Sequence, residues 1–197
     1  MTPEDVADTV KQAVFLMRVG HADIDIEAKV PDQHMPARFD RRLISQALTN
    51  IIKNAAEAIE AVPAGELAKG RIEVIAAREH DDIVIDVIDN GIGLPKMSRA
   101  RLLEPYVTTR EKGTGLGLAI VGRVLEDHGG RIELNDAADM RPGQRGAWMR
   151  LRFAVSGHAP KSEGKETAPP TEPPESDTPQ PADATHGETK IEAATGN

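Results

Sequence analysis

Val6, Val10, Ala13, Val14 and Met17 recur at intervals of three and four, which predicts a helix from Pro3 to Val19 closed by Gly20. Ile24, Ile26 and Ala28 then alternate with Asp23, Asp25 and Glu27. This is the pattern of a half-buried strand, ended by Pro31, and a loop is expected up to Phe39. Asp40 can cap the next helix, whose apolar stripe is Ile44, Leu48, Ile51, Ile52, Ala55 and Ile59. After a turn region from Pro63 to Gly70, Arg71 to Arg78 and Ile83 to Ile88 form two alternating runs. Glu79-His80-Asp81-Asp82 separates them, so an antiparallel hairpin is predicted. Leu116, Leu118, Ala119, Ile120, Val121, Val124 and Leu125 predict a helix from Gly115 to His128, with His128 as its C-terminal residue before Gly129-Gly130. Arg131 to Leu134 and Ala147 to Ala154 supply two more strands.

Some positions do not serve that pattern. At roughly 100° per residue, Asn50, Asn54 and Glu57 share a face of their helix well away from the apolar stripe. Asn is a poor helix former, and Lys, Glu or Gln would suit a solvated edge better. A polar edge is one reading. The other is that Asn54 offers its side-chain oxygen to a hard cation such as Mg²⁺, which keeps several waters and bridges phosphates. Asp89 ends the second hairpin strand beside Gly91 and Gly93. It reads either as a turn residue or as a carboxylate that accepts a hydrogen bond from an exocyclic amine such as that of adenine. A second glycine cluster, Gly113, Gly115 and Gly117, opens a helix, where free N–H groups and the positive end of the dipole suit phosphate. No Gly-Lys-Ser/Thr follows, so a P-loop is excluded. A dinucleotide fold would need a strand directly before the glycines, where Pro105 to Lys112 reads instead as a mobile loop.

Composition narrows the picture further. From Gly157 to Asn197 the chain is rich in Pro, Glu, Thr and Ala and nearly free of large apolar residues, so it is expected to be a disordered tail. That tail carries eight acidic and three basic residues, hence five of the eight net negative charges of the 197-residue chain, and the remainder is only mildly acidic. Neither a nucleic-acid footprint nor a polybasic membrane patch is present, so no nucleic acid and no direct membrane contact are expected. The absence of cysteine excludes disulfide and thiolate chemistry and is compatible with a reducing cytosol. No apolar run has the length of a bilayer span, and the start lacks a signal-peptide pattern.

Four stretches carry a family resemblance: Asn50-Ile-Ile-Lys-Asn54-Ala-Ala-Glu-Ala, Asp89-Asn-Gly91-Ile-Gly93, Leu103-Glu-Pro-Tyr-Val-Thr-Thr-Arg110, and Gly113-Thr-Gly115-Leu-Gly117-Leu. In that order they resemble the N, G1, F and G2 boxes of sensor histidine kinases, over residues 1 to 155. The chain is similar to the catalytic ATP-binding domain of the GHKL superfamily. The runs around EPYVTTREKGTGLGLAIV and VKQAVFLMRVGHADI look closest to nitrogen-regulation sensor kinases of the NtrY type.

The resemblance implies a two-layer α/β sandwich in which a mixed sheet packs against helices, with the nucleotide between the helices and a flexible ATP lid. It divides the chain into a helical connector at 1–20, the ATP-binding domain at 21–156 and the tail at 157–197. It makes ATP and Mg²⁺ the cofactors, Asn54 the metal ligand and Asp89 the acceptor of the adenine amine, with Gly91 and Gly93 shaping the base pocket. Gly113, Gly115 and Gly117 would present N–H groups to the phosphates. Lys53, Thr108, Thr109, Thr114 and Leu116 complete the expected nucleotide contacts. Asn50, Arg110 and Lys112 are the implied catalytic residues, the last two in the lid near the γ-phosphate. Asn50 stands where ATP-hydrolysing relatives and anti-sigma serine kinases carry Glu, and an amide cannot take a proton from water, which favours transfer to histidine over hydrolysis.

Three departures qualify the pattern. Tyr106 replaces the usual Phe of the F box, and Glu57 lies where several kinases carry a basic residue. No His-Glu/Asp acceptor context precedes the N box: His21 and His34 fall in or near a loop, His80 in a turn, and His158 and His186 in the tail. The expected partners are therefore a histidine-containing dimerisation domain of the parent kinase and, indirectly, a response regulator. The implied setting is cytoplasmic, on a kinase anchored in the inner membrane. The alternative is a stand-alone regulatory module resembling an anti-sigma serine kinase.

Overall fold

The computed structural model describes residues 1–108 and 113–157. In chain order the elements are β1 (Thr2–Asp5), α1 (Val6–Gly20), β2 (Ile24–Lys29), β3 (Pro36–Phe39), α2 (Arg41–Glu60), β4 (Gly70–Glu79) and β5 (Asp82–Asp89). There follow a 3-10 turn (Ala100–Leu103), α3 (Gly117–Asp127), β6 (Arg131–Asp136), α4 (Ala137–Met140) and β7 (Ala147–Ala154). Five strands form a mixed sheet in the order β2-β4-β5-β7-β6, with β2 parallel to β4 and every other pair antiparallel. The α/β sandwich expected from the resemblance is what the chain adopts.

Period-two alternation decides which side of the sheet meets the helices. Ile72, Val74 and Ala76 of β4, Ile83, Ile85 and Val87 of β5, and Met149, Leu151 and Phe153 of β7 join one core cluster with the buried faces of α1, α2 and α3. Along α2, Ile44, Leu48, Ile51, Ile52 and Ala55 are fully buried, as the stripe predicted. Asp89 continues the series Ile83, Ile85, Val87, so β5 delivers its last side chain to the helix side of the sheet. The other side is ionic. Arg150 holds Asp86 through two hydrogen bonds of 2.7 and 2.8 Å, and Trp148 Nε1 donates to the same carboxylate at 2.7 Å. Arg152 spans Glu79 and Asp82 at 2.6 and 3.0 Å.

Three differences from the sequence reading have local causes. The first helix begins at Val6 rather than Pro3, because the Asp5 carboxylate caps it, accepting from the N–H groups of Ala7 and Asp8 at 2.8 and 3.3 Å. Pro3 instead sits in β1, which pairs antiparallel with β3 inside the expected loop. Each of these strands has only four residues, too few to show a period. The third helix begins at Gly117 rather than Gly115, since Gly115 has φ +68°, outside the helical region.

The segment 1–20, expected as a connector, is integrated in the core. Val6, Val10, Ala13, Val14 and Met17 are buried in the main cluster, and α1 packs on α2, β2 and β4 within the compact unit Met1–Lys161. Of the expected tail at 157–197, residues 158–197 lie outside the described residues. No helix among the described residues is long and apolar enough to cross a membrane.

His128, expected only to end a helix, does more. It is the C-terminal cap of α3 and fully buried. Its Nε2 accepts the backbone N–H of Asp40 at 3.0 Å, so the proton sits on Nδ1, 2.6 Å from the Val124 carbonyl oxygen. The end of α3 is thereby tied to the start of α2, the two helices that wall the site.

Glu73 is the one outward-facing carboxylate of β4 that is nearly inaccessible, at 5% exposure. Arg141 Nη2 lies 2.6 Å from its Oε2 and Lys29 Nζ 3.2 Å from the same oxygen. The Arg141 hydrogen bond, aided by Lys29 and opposed by burial, holds the Glu73 carboxyl down at about 2. The folded-state value lies below the unfolded one, so this stabilisation is complete above the ordinary glutamate range and is lost as pH falls toward about 2. Urea midpoints measured from pH 6 down to 2.5 should therefore fall less steeply for Glu73→Gln than for the parent chain, although the variant is the less stable at neutral pH. An unchanged slope would show that Glu73 is not linked to acid unfolding.

Candidate functional site

Between α2, the end of β5 and the start of α3 lies a cleft of about 460 Å³. The polar face of α2 forms one wall, bringing Asn50, Lys53, Asn54 and Glu57 together. Asn50, Asn54 and Glu57 are half-buried, whereas Lys53 is exposed, its Nζ 3.9 Å from Glu57 Oε1. The separation of these residues from the apolar stripe, read from helical geometry, is what turns them into the cleft.

Asp89 occupies the opposite end. It is 1% exposed, and its Oδ1 accepts the N–H of Gly91 at 2.8 Å and that of Ala147 at 3.2 Å. These two backbone bonds fix the orientation of the group. The turn that follows is tied down at each residue. Asn90 Oδ1 accepts from the N–H of Arg71 at 2.8 Å, its Nδ2 donates to the Lys69 carbonyl at 3.0 Å, and Ile92 N–H donates to the Ala58 carbonyl at 3.0 Å. Gly93, Ile92 and Leu94 then line the cleft, and Leu102, Leu118 and Met149 add an apolar surface suited to a flat ring.

The third wall is the glycine cluster. Gly113, Thr114, Gly115 and Gly117 line the cleft, and the Leu116 N–H lies 3.4 Å from Thr114 Oγ1 at the helix entrance. Gly115 is constrained twice. Its φ is +68°, and a β-carbon there would stand 2.5 Å from the carbonyl carbon of Tyr106, whose N–H donates to the Gly115 carbonyl at 3.0 Å. Residues 106 and 115 therefore meet, and Thr108 lines the cleft.

At Gly117 the space is open toward Asn54. A β-carbon there would lie 3.8 and 3.9 Å from the amide nitrogen and oxygen of Asn54. The amide of α2 and the positive end of the eleven-residue helix α3 thus converge on one spot, with a carboxylate at the far end of the same cleft. This disposition fits a nucleotide, base toward Asp89 and phosphates toward α3. Among the described residues no group of three His, Cys, Asp or Glu could hold a metal ion, so a cation at this spot would draw on Asn54, phosphate oxygens and water.

Of the residues predicted from sequence, Asn50, Lys53, Asn54, Asp89, Gly93, Thr108, Gly113, Thr114, Gly115 and Gly117 line this cleft. Gly91 and Leu116 do not line it but hold its walls through their backbone N–H groups. Thr109, Arg110 and Lys112 lie outside the described residues. Sequence reasoning missed Ala147 and Met149 of β7, whose only signal is the alternation of an ordinary strand.

Comparison with known proteins agrees with this geometry. Residues 39–157 match the family described as histidine kinase-, DNA gyrase B-, and HSP90-like ATPase. The chain is 63% identical over 160 residues to nitrogen regulation protein NtrY of Azorhizobium caulinodans, covering 81% of this chain and 20% of that protein. It is 38% identical over 112 residues to the sensory histidine kinase/phosphatase NtrB of Rhizobium leguminosarum bv. phaseoli, covering 52% and 29%. It thus spans less than a third of the length of either relative. Among solved structures, the catalytic domain of histidine kinase ThkA superposes with a TM-score of 0.65 at 25% identity, covering 79% of this chain and 97% of that one. Full-length ShkA in complex with AMPPNP superposes at 0.61 with 29% identity, covering 79% and 31%. A cleft in which an Asn-bearing helix, a strand-end Asp and a glycine-led helix meet, within residues that match one family model over most of the folded unit, means that this chain belongs to the histidine kinase-, DNA gyrase B-, and HSP90-like ATPases.

Proposed function

We propose that this chain binds Mg-ATP in the cleft and passes the γ-phosphoryl group to a histidine on a separate dimerisation domain of a longer sensor kinase. The observation that carries the reading is the convergence of Asn54 and the start of α3 at one end of a cleft whose other end holds the buried Asp89. Asp89 accepts the amine of the base. The apolar surface of Leu102, Leu118 and Met149 packs against the ring, and the backbone of Gly113 to Gly117 receives the phosphates. Asn54 would hold Mg²⁺, which when bound neutralises charge on the phosphates. Arg110 and Lys112 add positive charge near the γ-phosphate. Catalysis is then positioning for in-line attack together with charge neutralisation.

Asn50 favours phosphoryl transfer over hydrolysis, because its amide cannot activate water as a carboxylate does. The same residue disfavours the regulatory-module alternative, and the relatives reported above are named as nitrogen-regulation and sensor kinase proteins. A response regulator is the onward partner, nitrogen regulation is the expected setting by likeness to NtrY, and the domain works on the cytoplasmic side of a membrane-anchored parent.

The test is transfer in trans. Incubated with radiolabelled ATP, the chain alone should bind nucleotide, hydrolyse it very slowly and acquire no acid-labile phosphohistidine. Mixed with the histidine-containing dimerisation domain of its parent kinase, it should label that domain inefficiently, since the tether that supplies a high effective concentration is gone. Label on the chain itself, or on serine of a partner, would overturn the proposal.

A further inference from the structure

Among the described residues, none of the loop between α4 and β7, Arg141 to Gly146, lines the cleft, yet the loop is anchored at both ends. At its start, Arg141 is held by the buried Glu73 at 2.6 Å. Its backbone is closed by the Gln144 N–H on the Arg141 carbonyl and by the Ala137 N–H on the Gly146 carbonyl, both at 3.0 Å. At its end, Arg145 Nε donates to the carbonyl of Gly91 at 3.3 Å, and its Nη1 lies 3.7 Å from Glu66 Oε2. Gly146 follows at φ +107°, packed so closely on Asp89 that a β-carbon would stand 1.9 Å from the Asp89 carbonyl oxygen. The next residue, Ala147, supplies one of the two N–H groups on Asp89 Oδ1, and Gly91 supplies the other.

Asp89 is therefore aimed by two backbone donors that lie on different segments, 56 positions apart in sequence. Besides the Asp89 carboxylate itself, the Arg145 side chain ties those segments together, from the residue two before Ala147 to the carbonyl of Gly91 itself. We infer that Arg145 is a positioning residue for nucleotide-base recognition, holding the Arg141–Gly146 loop against the Gly91 turn so that both donors fix the Asp89 carboxylate toward the base amine. This rests on the ATP reading of the cleft. The guanidinium suits the task because its donors form a rigid planar fork, one arm taking the carbonyl while another faces Glu66. Without it the Gly91 turn is held less firmly against the residues before β7, the Ala147 bond lengthens, and the carboxylate is oriented less tightly.

The experiment compares two nucleotides on three proteins by calorimetric titration: ATP, and purine riboside triphosphate, which lacks the exocyclic amine. Arg145→Ala should weaken ATP about five- to tenfold, the scale of one hydrogen bond made poorly. The same variant should change affinity for the amine-free nucleotide by less than about twofold, because that ligand never uses Asp89 for its base amine. Arg145→Lys, which keeps a donor and the charge, should recover part of the loss. A loss that is equal for both nucleotides would make Arg145 a merely structural residue and overturn the inference, as would unchanged ATP affinity. Should Arg145→Ala fail to fold, Arg145→Met, which keeps the length of the side chain without its donors, carries the same comparison. Failure of the parent chain to bind either nucleotide would instead overturn the ATP reading on which this rests.

Discussion

Asn54→Ala should abolish labelling of the dimerisation domain while leaving the fold intact. The side chain is half-buried at the edge of α2, in a helix whose stability comes from Ile44, Leu48, Ile51, Ile52 and Ala55 on the opposite face. Alanine is the better helix former, so helix propensity favours the replacement. What it removes is the amide oxygen beside the start of α3. Among the described residues no carboxylate or histidine cluster can take over a cation, so the metal would keep only phosphate and water ligands. Loss of correctly placed metal charge is worth several kcal/mol in a phosphoryl transfer, so the rate should fall about a hundredfold or more. Transfer rates measured over a Mg²⁺ titration, beside nucleotide affinity measured with chelator present, separate the two roles. Transfer at the parent rate would remove Asn54 from the metal site, and equal loss of metal-free nucleotide binding would make it a nucleotide contact instead.

Asp89→Asn should weaken ATP binding roughly ten- to a hundredfold, or on the order of 1.5 to 3 kcal/mol, the scale of a hydrogen bond to a charged group. The geometry says why so small a change acts so strongly. Two backbone N–H groups, of Gly91 and Ala147, point at Oδ1. An asparagine will turn its oxygen to those donors, which keeps the turn folded and puts its NH₂ group where Oδ2 stood. A donor then meets the donor amine of adenine. Thermal unfolding should change little, while titration calorimetry shows the loss. The amine-free purine nucleotide should lose less than ATP. Undiminished ATP affinity in the folded variant would take Asp89 out of base recognition.

Much of this site was legible in local sequence because the chemistry is carried by short runs. Asn50 and Asn54 are one turn apart on a helix whose apolar stripe is unmistakable, so helical geometry alone places them off the core face. Asp89 falls in step with Ile83, Ile85 and Val87, so strand period alone sends it to the helix side. The glycines before α3 mark a helix entrance that a side chain would obstruct, as the approach of Tyr106 to Gly115 shows.

Other features had no local signal. β1 and β3 are four residues each and exist only by pairing with one another, with partners 37 positions apart at Thr2 and Phe39 and 31 apart at Asp5 and Pro36. His128 reads as a helix end from either side in sequence, and only the fold sets its Nε2 under the N–H of Asp40, 88 positions away.

The sequence by itself determined the longer elements and the residues able to do chemistry, because helix and strand periods act over a few residues and sort polar from apolar positions locally. Only the tertiary structure decided how those residues face one another. The seat of Gly146 on the Asp89 carbonyl, the Ala147 N–H on its carboxylate, and the link from Arg145 to Gly91 join segments more than 50 positions apart. Such contacts form when the antiparallel pairing of β5 with β7 brings the two strands together, and no periodicity within either strand specifies them.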